Sequence, residues 1–389
     1  MSSKDPADPQ KKSVDLGPWI GGAGALGALA AFILAPGAAK TATGQAWPPF
    51  VLVAGLLVIG VVADHDGLFK AAGARLAKLP GGAVPLYLGL MSLVALVTIV
   101  LNLDTSVAFL TPVLIHTARR RKLDEGPFLY GAVFMSNSAS LLLPGSNLTN
   151  LLVLAERPMP GLAFAGRMAA PAVAAIVATL LVVALFHTRA LTKAPEVAEA
   201  PLPPMRLRLG ALGTLGAAVA LVTMDHPALV VLGIAVVVVV PHLTTRGISP
   251  HQVVEALGPP TLVGLFGVSV GLGAVARSLS APAAFLEHAS AWMVAGVAAL
   301  ATVVMNNLPA AVLLSSWAPG DRRALLIGLN LGPNLAITGA LSALLWLRIA
   351  RQAGARPSAL RYSLIGLVLV PASIAAAVCA AQATGAAPL

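Results

Sequence analysis

The chain has 389 residues, of which 58% are hydrophobic and only 10% are charged, with a mean hydropathy of +0.88. A water-soluble globule cannot bury so much apolar surface, so the composition requires lipid as the solvent. The net charge of +10 could indicate nucleic-acid binding, but the basic residues fall in short clusters between apolar segments, as membrane topology predicts. A single cysteine, Cys379, excludes a disulfide framework and a multi-thiolate metal site.

Apolar segments long enough to cross a hydrocarbon core of about 30 Å recur along the chain. We expect residues 1–17 to form a cytoplasmic tail. The first apolar segment is predicted to be a retained helix, because it lacks a convincing signal-peptide cleavage site. The predicted spans lie near residues 18–36, 48–66, 82–101, 126–154, 166–187, 209–224, 228–242, 257–275, 290–305, 324–347 and 362–384.

Two shorter apolar segments, 105–117 and 308–317, each follow a polar break that contains asparagine. Because they are too short to span, each is predicted to be the second arm of a re-entrant hairpin, the first near 101–118 and the second near 303–318. The chain would then return to the side that it left.

The basic residues are concentrated in alternate loops, which predicts a cytoplasmic N-terminus in a bacterial inner (plasma) membrane. A Pro/Ala/Glu-rich stretch within residues 189–208 is predicted to be a cytoplasmic linker. It divides the chain into two transmembrane halves, 18–188 and 209–389.

Rare polar residues recur in both halves. Thr98 and Asn102 align with Thr302 and Asn306 at an offset of 204, and the stretch from Asn137 aligns with that from residue 330 at an offset of 193. Chance similarity of Ala/Leu-rich helices is the alternative explanation. Because the predicted hairpins enter from opposite sides, the halves are predicted to be inverted repeats, as in secondary transporters. The expected fold class is therefore an all-α polytopic membrane protein of two inverted repeats, with re-entrant hairpins and discontinuous transmembrane helices.

Polar side chains within a membrane are costly, so they tend to face partners, cavities or substrates. Pro144-Gly145 and Gly332-Pro333 interrupt apolar helices. The N–H groups of the resulting half-helices suit anions or the oxygens of a neutral polyol, and their carbonyls suit Na⁺ or H₃O⁺. The alternative is that these polar residues only hold helices together. The predicted substrate-binding residues are Asn102, Thr105, Asn137, Ser138, Ser146, Asn147, Asn306, Asn307, Asn330, Asn334 and Thr338.

Proton coupling requires a titratable group within the membrane. Asp104, just past the first hairpin break, is the principal candidate, and Asp64, at the inner end of the second span, is another. Charge at a span end is also commonly interfacial, which is the alternative for Asp64. The sequence contains no enzyme motif and no P-loop, so we expect a transporter without a resident cofactor, with Na⁺ or H⁺ as the coupling ion.

Two motifs carry a family resemblance: Met305-Asn306-Asn307-Leu308-Pro309 and Leu331-Gly332-Pro333-Asn334. With weaker matches at 103–112 and 138–148, the chain resembles the arsenical-pump membrane protein family of the ion transporter superfamily. The family tends to carry Asp where this chain has Asn137 and Asn330, and Lys where it has Asn334.

The resemblance implies proton-coupled efflux of arsenite or antimonite. Arsenite is a neutral triol at pH 7, which amide and hydroxyl groups can recognise without charge. A Na⁺-coupled carrier of a small anion such as a dicarboxylate, or a Na⁺/H⁺ antiporter, are the alternatives. The resemblance also implies an ArsA-like ATPase subunit docked on basic loops such as Arg119–Lys122; the alternative is that these charges only set the topology. Glycines such as Gly264 and Gly267 would allow helices to pack within one protomer or across a homodimer.

Overall fold

The computed structural model describes residues 17–192, 208–277, 286, 288–317, 321–385 and 389, and these contain helices and no strand. The predicted tail, up to residue 16, and most of the predicted linker, 193–207, lie outside the described residues. The helices are α1 (Gly17–Leu34), α2 (Pro36–His65), α3 (Leu68–Leu76), α4 (Ala83–Val100), α5 (Leu103–Arg120), α6 (Gly126–Ala139), α7 (Leu148–Leu154), α8 (Gly161–Phe186), α9 (Thr188–Leu191), α10 (Leu209–Thr223), α11 (Ala228–Thr244), α12 (Pro250–Leu257), α13 (Pro259–Ala276), α14 (Ala291–Met305), α15 (Asn307–Ser316), α16 (Arg322–Leu331), α17 (Leu341–Gln352) and α18 (Ala359–Ala383).

Five helical segments are long and apolar enough to cross a membrane: α2, α4, α8, the pair α12–α13, and α18. Four shorter apolar helices accompany them, namely α1, α10, α11 and α14. Large apolar side chains such as Leu181, Val237 and Leu367 are exposed on these helices, as expected of surfaces that face lipid. The predicted all-α polytopic membrane architecture is confirmed.

Two helices exceed their predicted lengths the most. α2 begins at Pro36, twelve residues before the predicted start at 48, because proline is well tolerated in a first helical turn. The second arm of the first hairpin, α5, has 18 residues and a length of about 27 Å. The apolar pattern predicted only residues 105–117, because the ends of α5 are polar and include Asp104 and Arg120.

The two hairpins approach the centre from opposite ends of the bundle. In hairpin 1, α4 and α5 meet at Asn102, and the far end of α5 returns to α3, where Arg121 donates to the carbonyl of Ala77. In hairpin 2, α14 and α15 meet at Asn306, and the end of α15 returns to α13, where Trp317 Nε1 donates to the Ala276 carbonyl at 3.1 Å. Opposite approach is what inverted repeats require. The repeat relationship itself stays a prediction.

One end of the bundle, here called the basic rim, contains the C-terminal ends of α2, α8 and α11. Asp66 accepts a hydrogen bond from the backbone N–H of Gly210 at 2.8 Å and lies 3.1 Å from Nε2 of His242. Arg119 donates to the carbonyls of Ala353 and Gly354 at 2.8 and 2.9 Å. Arg208, at the end of the predicted cytoplasmic linker, also lies at this end, 3.8 Å from Asp66.

The opposite end, here called the Glu156 rim, is organised by one carboxylate. Glu156 accepts hydrogen bonds from Gln45 at 3.5 Å and from Arg322 at 3.4 Å, and lies 3.9 Å from Arg277. Four helical elements meet at this point, because these residues belong to or flank α2, α7, α13 and α16.

Candidate solute site

The first broken helix consists of α6 and α7. Between them, Pro144–Ser146 form a single 3₁₀ turn, because Pro144 has no N–H to continue a helical ladder. Asn147 then starts α7, where its side-chain oxygen accepts from the Thr149 N–H at 3.0 Å. Hairpin 1 adjoins this break, because α4 packs against the turn.

The second broken helix consists of α16 and α17, separated by the 3₁₀ turns Gly332–Leu335 and Ile337–Gly339. Gly332 is required by close packing, because a Cβ there would lie 2.5 Å from the Cα of Ala299 in α14. The first residues of α17 have no side-chain cap, since Ala340 precedes them. Their N–H groups are therefore left to other partners.

The two breaks are joined by a network of buried amides centred on Asn330. Its side-chain oxygen accepts from Ser140 Oγ at 2.6 Å and from Asn147 Nδ2 at 2.7 Å. Its side-chain nitrogen donates to Asn150 Oδ1 at 2.7 Å and to the Leu326 carbonyl at 2.8 Å. Asn330 thus fills its hydrogen-bonding capacity by connecting both halves of the chain.

A second amide pair lies at the same interface. Asn137 Nδ2 donates to Asn334 Oδ1 at 2.8 Å. The other two polar atoms of this pair, Asn137 Oδ1 and Asn334 Nδ2, are buried and have no partner among the described residues. A buried amide left half-satisfied is costly, and this pair leaves one acceptor and one donor unused.

The hairpin tips use their asparagines differently. Asn102 accepts from the Thr105 N–H at 2.6 Å, while Asn102 Nδ2 and Thr105 Oγ1 are buried without a partner in the described part of the chain. Asn306 accepts from the Leu308 N–H at 3.4 Å and donates to the carbonyl of Thr338 at 3.1 Å. Hairpin 2 is therefore tied directly to the second break.

Besides the hairpin-tip residues, four of the predicted site residues lie outside the amide network. Ser138 Oγ lies 2.7 Å from Thr179 Oγ1 on α8, an arrangement that connects two helices. Ser146 Oγ donates to backbone carbonyls within its own break. Asn307 is buried in the first turn of α15, and the Thr338 side chain is exposed.

The two predicted coupling carboxylates lie on neighbouring helices. Asp104 is half-buried in the first turn of α5, and it forms no ion pair or hydrogen bond with the described residues. Asp64 is half-buried near the end of α2. Gly60, one helical turn before it, packs against the side chain of Thr105. That side of α2 therefore faces the tip of hairpin 1.

Three further residues support the site and are absent from the predicted set. Ser140 and Asn150 belong to the amide network, and their positions beside the Pro144-Gly145 break could have indicated this. Tyr362 on α18 is fully buried, and its hydroxyl donates to the Pro333 carbonyl at 3.0 Å. Nothing in the apolar pattern of α18 signals that role.

Broken helices whose polar residues meet within an apolar helical bundle define a secondary transporter rather than an enzyme. Residues 18–337 match the family described as CitMHS, citrate transporter, and the chain belongs to this family. It is a multi-pass protein of a bacterial membrane that transports a small solute.

Curated relatives match over most of the chain. The arsenical pump membrane protein of Escherichia coli K12 is 24% identical over 378 residues, which cover 88% of this chain and 87% of the relative. The uncharacterized transporter Rv2684 of Mycobacterium tuberculosis is 25% identical over 372 residues, covering 86% and 85%. The recognised resemblance to arsenical pumps is confirmed.

Among solved structures, the YdaH transporter of Alcanivorax borkumensis, whose crystal structure is described as having an unusual topology, is similar in fold. The TM-score is 0.58 at 14% sequence identity, and the match covers 89% of this chain and 87% of YdaH. This likeness supports the transporter fold.

Proposed function

We propose that the protein exports arsenite or antimonite from the cytoplasm in exchange for protons, with its N-terminus in the cytoplasm. The observation that carries the proposal is the uncharged amide network at the two breaks. It contains no ionisable side chain, and it leaves both an acceptor, Asn137 Oδ1, and a donor, Asn334 Nδ2, without a partner among the described residues. A neutral triol donates and accepts through the same hydroxyl groups, so it can satisfy both.

The curated relatives named arsenical pump membrane proteins support this substrate. The match to the Escherichia coli K12 protein covers 88% of this chain and 87% of that protein. The resemblance implies that Asn137, Asn330 and Asn334 stand where the arsenical pumps tend to carry Asp, Asp and Lys, so recognition here would rest on uncharged hydrogen bonds.

Proton coupling is assigned to Asp104, with Asp64 as a second carrier. Asp104 has no charged partner among the described residues, so no ion pair holds it permanently ionised. The packing of Gly60 against Thr105 puts Asp64 one helical turn along α2 from the tip of hairpin 1. A proton moving inward, toward the basic rim, would meet Asp104 before Asp64.

The test is arsenite accumulation in everted vesicles that are acid inside, measured by elemental mass spectrometry with and without Na⁺. The parent protein is expected to accumulate arsenite independently of Na⁺, and Asp104→Asn to reduce accumulation to the background of empty vesicles. Glu255→Gln is the control, because that carboxylate is exposed on α12. Absence of accumulation by the parent, or equal accumulation by Asp104→Asn, would refute the proposal.

One observation favours a second candidate, a Na⁺-coupled carrier of a small anion such as a dicarboxylate. The N-terminus of α17 has no side-chain cap, and such N–H groups attract anions. Uptake of labelled succinate or citrate that depends on Na⁺ would support this candidate. A Na⁺/H⁺ antiporter has less support, because few carboxylates lie within the described helices.

The ArsA-like ATPase subunit and the homodimer stay predictions. Within the run Arg119–Lys122, Arg119 already bonds to Glu125 and to two carbonyls. Arg121 is buried against Ala77. An ATPase that docked on this loop would therefore have to use other side chains.

A further inference from the structure

A cavity lies apart from the amide network, at the Glu156 rim. It has a volume of about 320 Å³ and is lined by α2, by the first break with α7, and by the connection between α10 and α11. Small-molecule sites have volumes of about 300–1,000 Å³, so this cavity is large enough to hold an organic ligand. No member of the amide network lines it.

The wall of the cavity is mostly apolar. The larger apolar side chains that line it include those of Trp47, Pro48, Leu151, Met159 and Met224. Trp47 adds an aromatic ring, which attracts cations through its π-system, and methionine adapts to ligand shape. The lining favours a molecule with an apolar body.

The one formally charged side chain among the described residues that line the cavity is the carboxylate of Asp225. This side chain is exposed and forms no ion pair with the described residues. Among the described residues that line the cavity there is no lysine or arginine, and the other polar side chains are those of Gln45 and His226. An anionic lipid headgroup would meet Asp225 with no cationic side chain in this described lining, whereas an organic cation would find its counter-charge.

We propose that this cavity binds a lipophilic organic cation, with the apolar body between α2, α7 and the α10–α11 connection and the positive charge near Asp225. This site is separate from the transported solute's site, and it does not depend on which solute is carried. It lies against Pro144 and Leu151, on the side of the first break that faces α2.

The experiment measures binding of tritiated tetraphenylphosphonium to the full chain in phosphatidylcholine nanodiscs, by scintillation proximity, with empty nanodiscs subtracted. Tetraphenylborate, which has the same shape and the opposite charge, is the competitor. We expect saturable binding of the cation and no competition by the anion. Because an exposed charge contributes modestly, Asp225→Asn is expected to weaken binding by roughly two- to fivefold, while Glu255→Gln leaves it unchanged.

Met224→Trp and Met159→Trp fill the cavity from two sides and are each expected to weaken binding by more than about tenfold. Binding is compared only for variants that unfold at the same temperature as the parent. Two tryptophan variants are made, so that the test does not depend on the folding of either one. The proposal is overturned if the parent shows no saturable binding or if tetraphenylborate competes as well as the unlabelled cation. It is equally overturned if Asp225→Asn and the folded tryptophan variants bind as the parent does.

Discussion

Removal of the Tyr362 hydroxyl is expected to loosen the second break without disturbing the helices around it. Tyr362 is fully buried, and its ring packs against Phe134 at 4.7 Å and against Trp346 at 5.7 Å. Tyr362→Phe keeps these ring contacts and deletes only the hydrogen bond to the Pro333 carbonyl. Since Pro333 adjoins Asn334, loss of this bond is expected to make the turn Gly332–Leu335 more mobile, and this turn positions the side-chain amide of Asn334.

The magnitude follows from that single bond. A buried carbonyl left without its partner costs about 1–3 kcal/mol. If about 1–2 kcal/mol of this is lost from the solute complex, the KM for transport rises about five- to thirtyfold. The maximal rate should stay near that of the parent, because the coupling carboxylates are untouched.

Tyr87→Phe is the matched control. Tyr87 is also buried, and its hydroxyl donates to a backbone carbonyl, that of Leu180, at 3.1 Å in a part of the bundle away from the breaks. Initial rates of arsenite accumulation and unfolding temperatures are measured for both variants. An unchanged KM in Tyr362→Phe, or an equal rise in both variants, would refute the positioning role.

Three further predictions concern the rims and the second hairpin. Glu156→Gln removes the carboxylate partner of Arg322, whose side chain is 7% exposed, and should lower the free energy of unfolding by about 1–3 kcal/mol, less than for a fully buried pair because Glu156 is 40% exposed. Asn306→Ala removes the N-cap of α15 and the bond to Thr338, and should cost about 1–2 kcal/mol in detergent unfolding. Burial lowers the pKa of His187, just beyond α8, so stability should be complete above about pH 6.5 and fall as the pH drops below it. His187→Gln should flatten this pH dependence, and a steeper or unchanged profile would contradict the assignment.

The helix breaks were predictable from the sequence because proline and glycine interrupt apolar segments through local chemistry. Pro144 and Gly332 needed no knowledge of tertiary contacts to be recognised as break points. The asparagines beside them were predictable for the same reason, since an amide is rare in an apolar helix. That these asparagines lie together around Asn330 could be inferred only from the alignment of the two halves.

Side-chain direction was not predictable in the same way. Ser138 directly follows Asn137, yet its hydroxyl pairs with Thr179 on α8, because successive helical residues point about 100° apart. The role of Tyr362 arises from the crossing of α18 over the second break, where Gly366 allows its backbone to approach Asn334. A tyrosine in an apolar helix carries no sequence signal of such a long-range contact.

The central claim is that the transported solute is held by the amide network at the two breaks. The most direct measurement compares arsenite accumulation in acid-interior everted vesicles for Asn330→Ala, Asn137→Ala and Ser373→Ala, at equal amounts of monodisperse protein. Ser373 is a buried hydroxyl that bonds only within α18. The account predicts that both asparagine variants lose accumulation while Ser373→Ala retains it, and accumulation at the parent's rate by either asparagine variant would contradict it.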